Sequence, residues 1–145
     1  MLALVKQYHA GQSRNGGRVP YWVHVQSVAE ILHYALARAG DLASDPALER
    51  DLFLAAQGHD LYEDTEASPE QIQSLFGARV DQFIRLMSNP HGDHDRAAYL
   101  RQVRLAPEEV RLIKLADLTD NTLSCAYGIH DLGVTWVREI GRAHV

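Results

Sequence analysis

The chain has 145 residues, 46% of them apolar and 23% charged, with a formal net charge of −5. That size and balance describe one compact core and exclude a disordered tail, a collagen-like repeat or a disulfide scaffold. The negative charge argues against a protein that coats nucleic acid or an anionic membrane. No run approaches the ~18 apolar residues that span a bilayer, and the opening MLALVKQYHAG turns polar too early for a secretory signal. A lone cysteine, Cys125, cannot pair within the chain, which suits a reducing compartment. A single cytoplasmic domain over residues 1–145 is expected.

In chain order, runs rich in Ala, Leu, Glu, Arg and Gln predict helices near 2–10, 20–39, 46–62, 69–76, 78–88, 95–104, 107–127 and 131–142. No segment alternates with period two over six residues. Punctuation marks the divisions. Asp45-Pro46 and Ser68-Pro69 each place a capping residue before a proline at the first helical position, and Gln71 can complete a capping box with Ser68. Gly40 and Gly77 stand where helices need a left-handed stop. Glu108 and Glu109 follow Pro107 in a first turn, where the macrodipole favours acids. Two loops stand out: the glycine-rich stretch 11–18 with Arg14 and Arg18, and the polar stretch 88–95. The pattern is that of an all-α bundle.

Certain polar residues fall on apolar stripes. His24, Val28, Ile31 and Ala35 share one face of the second helix. Leu48, Leu52, Ala55 and His59 line the third, with Glu63 one turn on. Val110, Ile113 and Asp117 share a stripe that Asn121 extends. An isolated carboxylate is costly to bury unless it is paired or bound to a metal. A cation shared by three helices accounts for all of these positions. The blander alternatives are a core histidine satisfied by a backbone carbonyl for His24, and a pairing with Lys114 or an arginine for Asp117. Neighbouring side chains on a helix point about 100° apart, so His59 and Asp60 can grip one ion only if the helix bends or the site lies in a cleft beside it. A set of His24, His59, Asp60 and Asp117, with no thiolate, suits manganese, magnesium or iron better than a structural zinc.

These residues also carry a resemblance. The run from His59 to Thr65, HDLYEDT, resembles the HDxxEDT motif of HD-domain phosphohydrolases, in the form found in RelA/SpoT-type alarmone hydrolases. His9 to Arg14 is similar to that group's HxGQxR segment, Pro20 to His24 with Val28 to Leu32 to its PYxxH and VAxIL helix, and Lys114 to Asp117 with Asn121 to its KLADxxxN motif. The four motifs run in the same order from residue 9 to about 124. The resemblance implies that His24, His59, Asp60 and Asp117 bind one manganese ion. It also implies that Glu63 and Asp64 orient or activate the attacking water, that Arg14 packs on a guanine ring and that Asn121 contacts the nucleoside. The implied reaction removes the 3′-pyrophosphate of ppGpp or pppGpp, and the implied partner is that nucleotide. The implied protein is a small stand-alone hydrolase.

The chain departs from the pattern in places. One extra residue between Arg14 and His24 leaves the choice between Arg14 and Arg18 open. Val25 replaces a proline, and Leu118 and Asp120 stand where arginine and histidine are usual. The last two are expected to bear on guanine recognition more than on the metal. Three readings follow: an alarmone pyrophosphohydrolase, an HD phosphohydrolase of another nucleotide or phosphoester, and a metal-bearing domain without turnover. Glu63 and Asp64 argue against the third, and Arg14 and Asn121 favour the first over the second. Arg101 and Arg104 read as solvated helix arginines. Tyr8 and Tyr127 could flank a base, but packing explains them equally well.

Overall fold

The structure is a computed structural model that describes residues 1–14, 17–39, 45–89 and 95–144, with backbone only for residues 39 and 127–144. The described residues form helices α1 (Leu2–Tyr8), α2 (Tyr21–Ala39), α3 (Pro46–Gly58), α4 (Leu61–Asp64), α5 (Pro69–Phe76), α6 (Ala78–Met87), α7 (Arg96–Leu105) and α8 (Glu108–His144). The all-α expectation holds, with one local addition. Ser13–Arg14 (β1) and Val19–Pro20 (β2) pair antiparallel, Ser13 opposite Pro20 and Arg14 opposite Val19. Two residues per strand are too few to show an alternating pattern, so the glycine-rich stretch reads from sequence only as a loop.

Two boundaries differ from expectation. The segment 46–62 is not one helix: α3 stops at Gly58 and α4 restarts after Asp60. The segments 107–127 and 131–142 are a single helix, α8. Gly128 and Gly133 disfavour a helix interior by only about 1 kcal/mol each, which a long helix tolerates. The left-handed stop expected at Gly40 lies outside the described residues, as do residues 90–94 of the polar loop.

The caps explain most of the remaining ends. The Asp45 carboxylate accepts from the Ala47 and Leu48 amides, and the Ser68 hydroxyl accepts from the Gln71 amide. The Gln71 side chain does not serve as the reciprocal member of a capping box: its Oε1 takes the Tyr8 hydroxyl at 2.6 Å, tying α5 to the end of α1. Gly77, at φ 95°, separates α5 from α6 in a conformation that a Cβ disfavours.

α2 packs against α3 and α8, and α3 against α6. The buried stripe of α2 is Val25, Val28, Ala29, Leu32 and Leu36. Ala35 is exposed, because the helix turns its core face slightly away from the stripe read off the wheel, and His24 sits at that stripe's edge. On α8, Val110, Ile113, Asp117 and Asn121 are all buried, as the spacing predicts. Among the described residues no helix is long and apolar enough to cross a membrane.

Ile113 is fully buried where α8 meets the core. Ile113→Ala is expected to cost roughly 2–5 kcal/mol, by loss of transfer energy and creation of a cavity. Urea unfolding should show a lower midpoint at an unchanged slope. A loss below about 0.5 kcal/mol, the range of ordinary surface changes, would mean that α8 is not packed as described.

Candidate metal centre

The break after α3 builds the centre. Gly58 cannot carry a larger side chain without crowding, since a Cβ there would lie 2.8 Å from the Ile84 Cδ1. Asp60 then leaves helical geometry, at φ −98° and ψ 0°, in the sparsely populated bridge region where active-site residues often sit. Its carbonyl accepts from the Glu63 and Asp64 amides, at 3.2 and 3.0 Å, and so starts α4. Thr65 ends that turn, donating its hydroxyl to the Leu61 carbonyl at 2.5 Å and accepting from the Ala67 amide. The Tyr62 hydroxyl donates to Asp81 on α6, which is also paired with Arg85, and this anchors α4 to the bundle. With the helix broken, the His59 Nε2 and an Asp60 oxygen lie 3.0 Å apart instead of pointing away from each other.

His24 from α2 and Asp117 from α8 complete the cluster. The His24 Nε2 lies 3.4 Å from the Asp117 Oδ1 and 3.6 Å from the Asp60 Oδ2, and the His59 Nε2 lies 3.7 Å from the Asp117 Oδ1. Donor atoms of His24, His59 and Asp60 all fall within 4.8 Å of one another, a group that can hold a metal ion. An octahedral ion with ligands at about 2.1 Å has edges near 3 Å, so the spacings are close to those required. Both histidine rings present Nε2 inward while Nδ1 is held from outside. The His59 Nδ1 faces the Ala56 carbonyl at 2.8 Å, in the last turn of α3 where carbonyls lack helical partners. The His24 Nδ1 faces the Asp120 Oδ2 at 2.7 Å. Such outer partners select the tautomer whose Nε2 lone pair is free for a metal. The His59 Nε2 is buried with no hydrogen-bond partner, which a ligated ion would resolve.

The charges agree. Burial would lower the pKa of His59, yet the facing Asp60 and Asp117 hold it well above its ordinary value. Burial would raise Asp60 and Asp117; for Asp60 the charge of His59, and for Asp117 the His24 and His59 rings that face its Oδ1, hold each far below the usual carboxylate range. The pocket demands positive charge, and an imidazole proton supplies it in the metal-free chain. The Lys114 ammonium adds to this at 2.8 Å from the Asp117 Oδ2. The pairing of Asp117 with Lys114 therefore exists, but it uses one oxygen and leaves Oδ1 facing the histidines. Asn121 donates to that Oδ1 at 2.7 Å.

Glu63 and Asp64 lie on the solvent side of the cluster. Partial burial, reinforced by the charge of Asp60, raises both carboxyls above their ordinary range. The Glu63 Oε1 accepts the Asn89 amide at 2.5 Å. Arg14 reaches over from β1 to donate to the Asp120 Oδ2 at 2.9 Å and to the Asn121 Oδ1, while Arg18 is exposed in the turn just before β2. Arg101 and Arg104 are exposed on α7. The Tyr8 hydroxyl is bonded to Gln71, away from a base-flanking role, and the side chain of Tyr127 lies outside the described residues.

Two residues of the centre make contacts that the sequence reading does not assign them. The Tyr21 hydroxyl lies 2.5 Å from the Asp60 Oδ2 and 3.2 Å from the Asp64 Oδ2, and its ring stacks on His9 at 4.6 Å. A phenol has one proton, so the shorter contact takes it. Burial, with the two carboxylates, raises the Tyr21 pKa far above its ordinary value. Asp120, expected on the nucleoside side, also touches His24. The reason is that position 120 lies between Asp117 and Asn121 on α8 and turns toward α2, a tertiary contact that the helical wheel does not reveal.

No protein-family model matches the chain. A solved structure of a metazoan SpoT ortholog, described as one that hydrolyzes ppGpp, matches with a TM-score of 0.74 at 24% identity, over 99% of this chain and 82% of that one. The fold is thus similar to that of the SpoT ortholog, and the His–Asp set clusters within it. By sequence, the guanosine-3′,5′-bis(diphosphate) 3′-pyrophosphohydrolase MESH1 of Drosophila melanogaster is 30% identical over 123 residues, 79% of this chain and 64% of that protein. The bifunctional (p)ppGpp synthase/hydrolase SpoT of Escherichia coli K12 is 28% identical over 127 residues, 81% of this chain and 16% of that protein. The chain is similar to these proteins and spans less than two thirds of the length of either.

If the cluster holds an ion, manganese should raise the thermal midpoint of the wild-type chain by mass action, and His59→Ala and Asp60→Ala should each abolish that rise and stoichiometric binding. Elemental analysis after desalting checks it. One manganese per chain retained in the double variant would place the metal elsewhere.

Proposed function

We propose that the chain is a metal-dependent phosphohydrolase that removes the 3′-pyrophosphate of guanosine polyphosphates, turning ppGpp or pppGpp into GDP or GTP plus pyrophosphate. The observation that carries this reading is the inward, unpartnered Nε2 of His59 among two carboxylates, with an acidic pair one helical turn away. The activity of MESH1 supports the choice of substrate. The ligands proposed are His24, His59, Asp60 and Asp117, and the ion is manganese, with magnesium and iron as alternatives for the same donors.

A divalent ion bound there supplies Lewis acidity toward a phosphoryl oxygen and toward water. The acidic pair does the proton work. A carboxyl raised above its ordinary pKa lies nearer the working pH and is a better general base and acid. Glu63 or Asp64 takes a proton from the attacking water as its oxygen bonds to phosphorus. The bond from that phosphorus to the 3′ oxygen breaks, and the proton is returned to the departing 3′ oxygen. Tyr21 holds Asp60 and Asp64 in register. Arg14 and Asn121, bonded to each other at the rim, receive the nucleoside, and Lys114 adds positive charge beside the centre. The substrate is a free nucleotide, not nucleic acid or membrane, and the proposed compartment is the cytoplasm.

A second reading, a different nucleotide or phosphoester, is favoured by one observation: Asp120 and Asn121 engage the edge of the Arg14 guanidinium, so that edge is not open to a guanine base. Incubating manganese-loaded protein with ppGpp, pppGpp and a nucleotide panel separates the two. Pyrophosphate release from the guanosine polyphosphates is expected; turnover confined to another nucleotide would replace the substrate.

Glu63→Gln should lower kcat by roughly 10²–10⁴-fold with metal content and fold intact, the usual contribution of general acid–base catalysis. Asp64→Asn is measured beside it. A severe loss in Asp64→Asn alone would move the role to Asp64, and normal turnover in both would remove the acidic pair from the mechanism.

A further inference from the structure

Asp120, three positions after Asp117 on α8, belongs to no ligand set, yet it sits between two functional groups. One oxygen of Asp120, Oδ2, lies 2.7 Å from the His24 Nδ1 and 2.9 Å from the Arg14 Nη1. Both contacts are sheltered, with side-chain exposures of 3% for His24, 16% for Arg14 and 13% for Asp120. His24 comes from α2, Arg14 from β1 and Asp120 from α8, so one carboxylate joins three elements.

We propose that Asp120 is a positioning residue that couples the metal centre to the nucleoside subsite, fixing His24 with its Nε2 toward the ion and holding Arg14 against Asn121. The first function follows from the imidazole itself. A neutral ring carries one proton, and a carboxylate at Nδ1 keeps it there, leaving the lone pair on Nε2. The negative charge also makes Nε2 a better donor to a cation. The second follows from Arg14, whose planar fork is held at one edge by the Asp120 Oδ2 and the Asn121 Oδ1. Asn121 in turn donates to the Asp117 Oδ1. Arg14, Asp120, His24, Asp117 and Asn121 thus form a closed ring of contacts. Displacing Arg14 from that ring misplaces the nucleoside, and losing Asp120 disturbs both subsites at once.

This inference rests on the proposed metal centre, and its test includes an arm that does not depend on turnover. Manganese alone is titrated by calorimetry into metal-free wild type, Asp120→Asn, Asp120→Ala and Arg14→Ala, and KM for ppGpp is measured on the loaded proteins. Loss of an outer carboxylate typically weakens metal binding by about 10–100-fold. Asp120→Ala is expected near the upper end, and Asp120→Asn, which keeps an acceptor without the charge, near the lower. Arg14→Ala should bind manganese as wild type does, while KM rises in all three variants. Should Asp120→Ala fail to fold, the isosteric Asp120→Asn carries the test. Unchanged manganese affinity in both Asp120 variants would overturn the inference, as would an equal loss in Arg14→Ala. A wild type that binds manganese but hydrolyses no guanosine polyphosphate refutes the proposed substrate while the calorimetry still decides the role of Asp120.

Discussion

The centre depends on a helix that stops one residue before it would spoil the site. In a continuous helix His59 and Asp60 would diverge by about 100° and could not share an ion. Ending α3 at Gly58 and passing Asp60 through the bridge region folds the pair onto one point. The same break frees the Ala56 carbonyl to orient the His59 ring, and the new turn that it starts puts Glu63 and Asp64 at the mouth. The hydroxyl of Thr65 closes that turn. The two positions between the pairs also contribute, since Leu61 is core and Tyr62 ties the turn to Asp81 of α6.

Around this break, electrostatics and hydrogen bonding agree on a demand for positive charge. One buried and one half-buried carboxylate face two imidazoles, and the inward Nε2 of His59 has no hydrogen-bond partner. The outward atoms are engaged: the His59 Nδ1 by a backbone carbonyl, the His24 Nδ1 by Asp120 and the Asp117 Oδ2 by Lys114, while Tyr21 and Asn121 donate to the inward Asp60 Oδ2 and Asp117 Oδ1. Such buried polar groups are expensive when unsatisfied, so two imidazoles fixed from behind and facing two carboxylates suit the single cation proposed between them.

Much of this is legible in the sequence. The helical register of Val110, Ile113, Asp117 and Asn121 anticipates their burial, because a long amphipathic helix obeys its own period. The convergence of His24, His59, Asp60 and Asp117 is legible as a demand for a shared partner, since carboxylates on apolar stripes need one. The break at Gly58 is legible only as a condition, for one glycine weakens a helix by only about 1 kcal/mol and the apolar stripe of α3 continues through His59. The contacts of Tyr21 and Asp120 are not legible. Neither residue shows its partners until α2 and α8 are side by side, with 96 residues of chain separating His24 from Asp120. The short β1–β2 pair and the continuity of α8 escape for similar reasons, one being too short to carry a period and the other interrupted by glycines that a helix can absorb.

The central claim is that one divalent ion is held at the helix break by ligands from α2, the α3–α4 junction and α8. Anomalous diffraction from crystals grown with manganese measures this directly. The account predicts a single strong peak about 2.0–2.3 Å from the Nε2 atoms of His24 and His59 and from carboxylate oxygens of Asp60 and Asp117, with Asp120 still on the His24 Nδ1. A peak bound by other residues, or none at this position in manganese-saturated crystals, would contradict it.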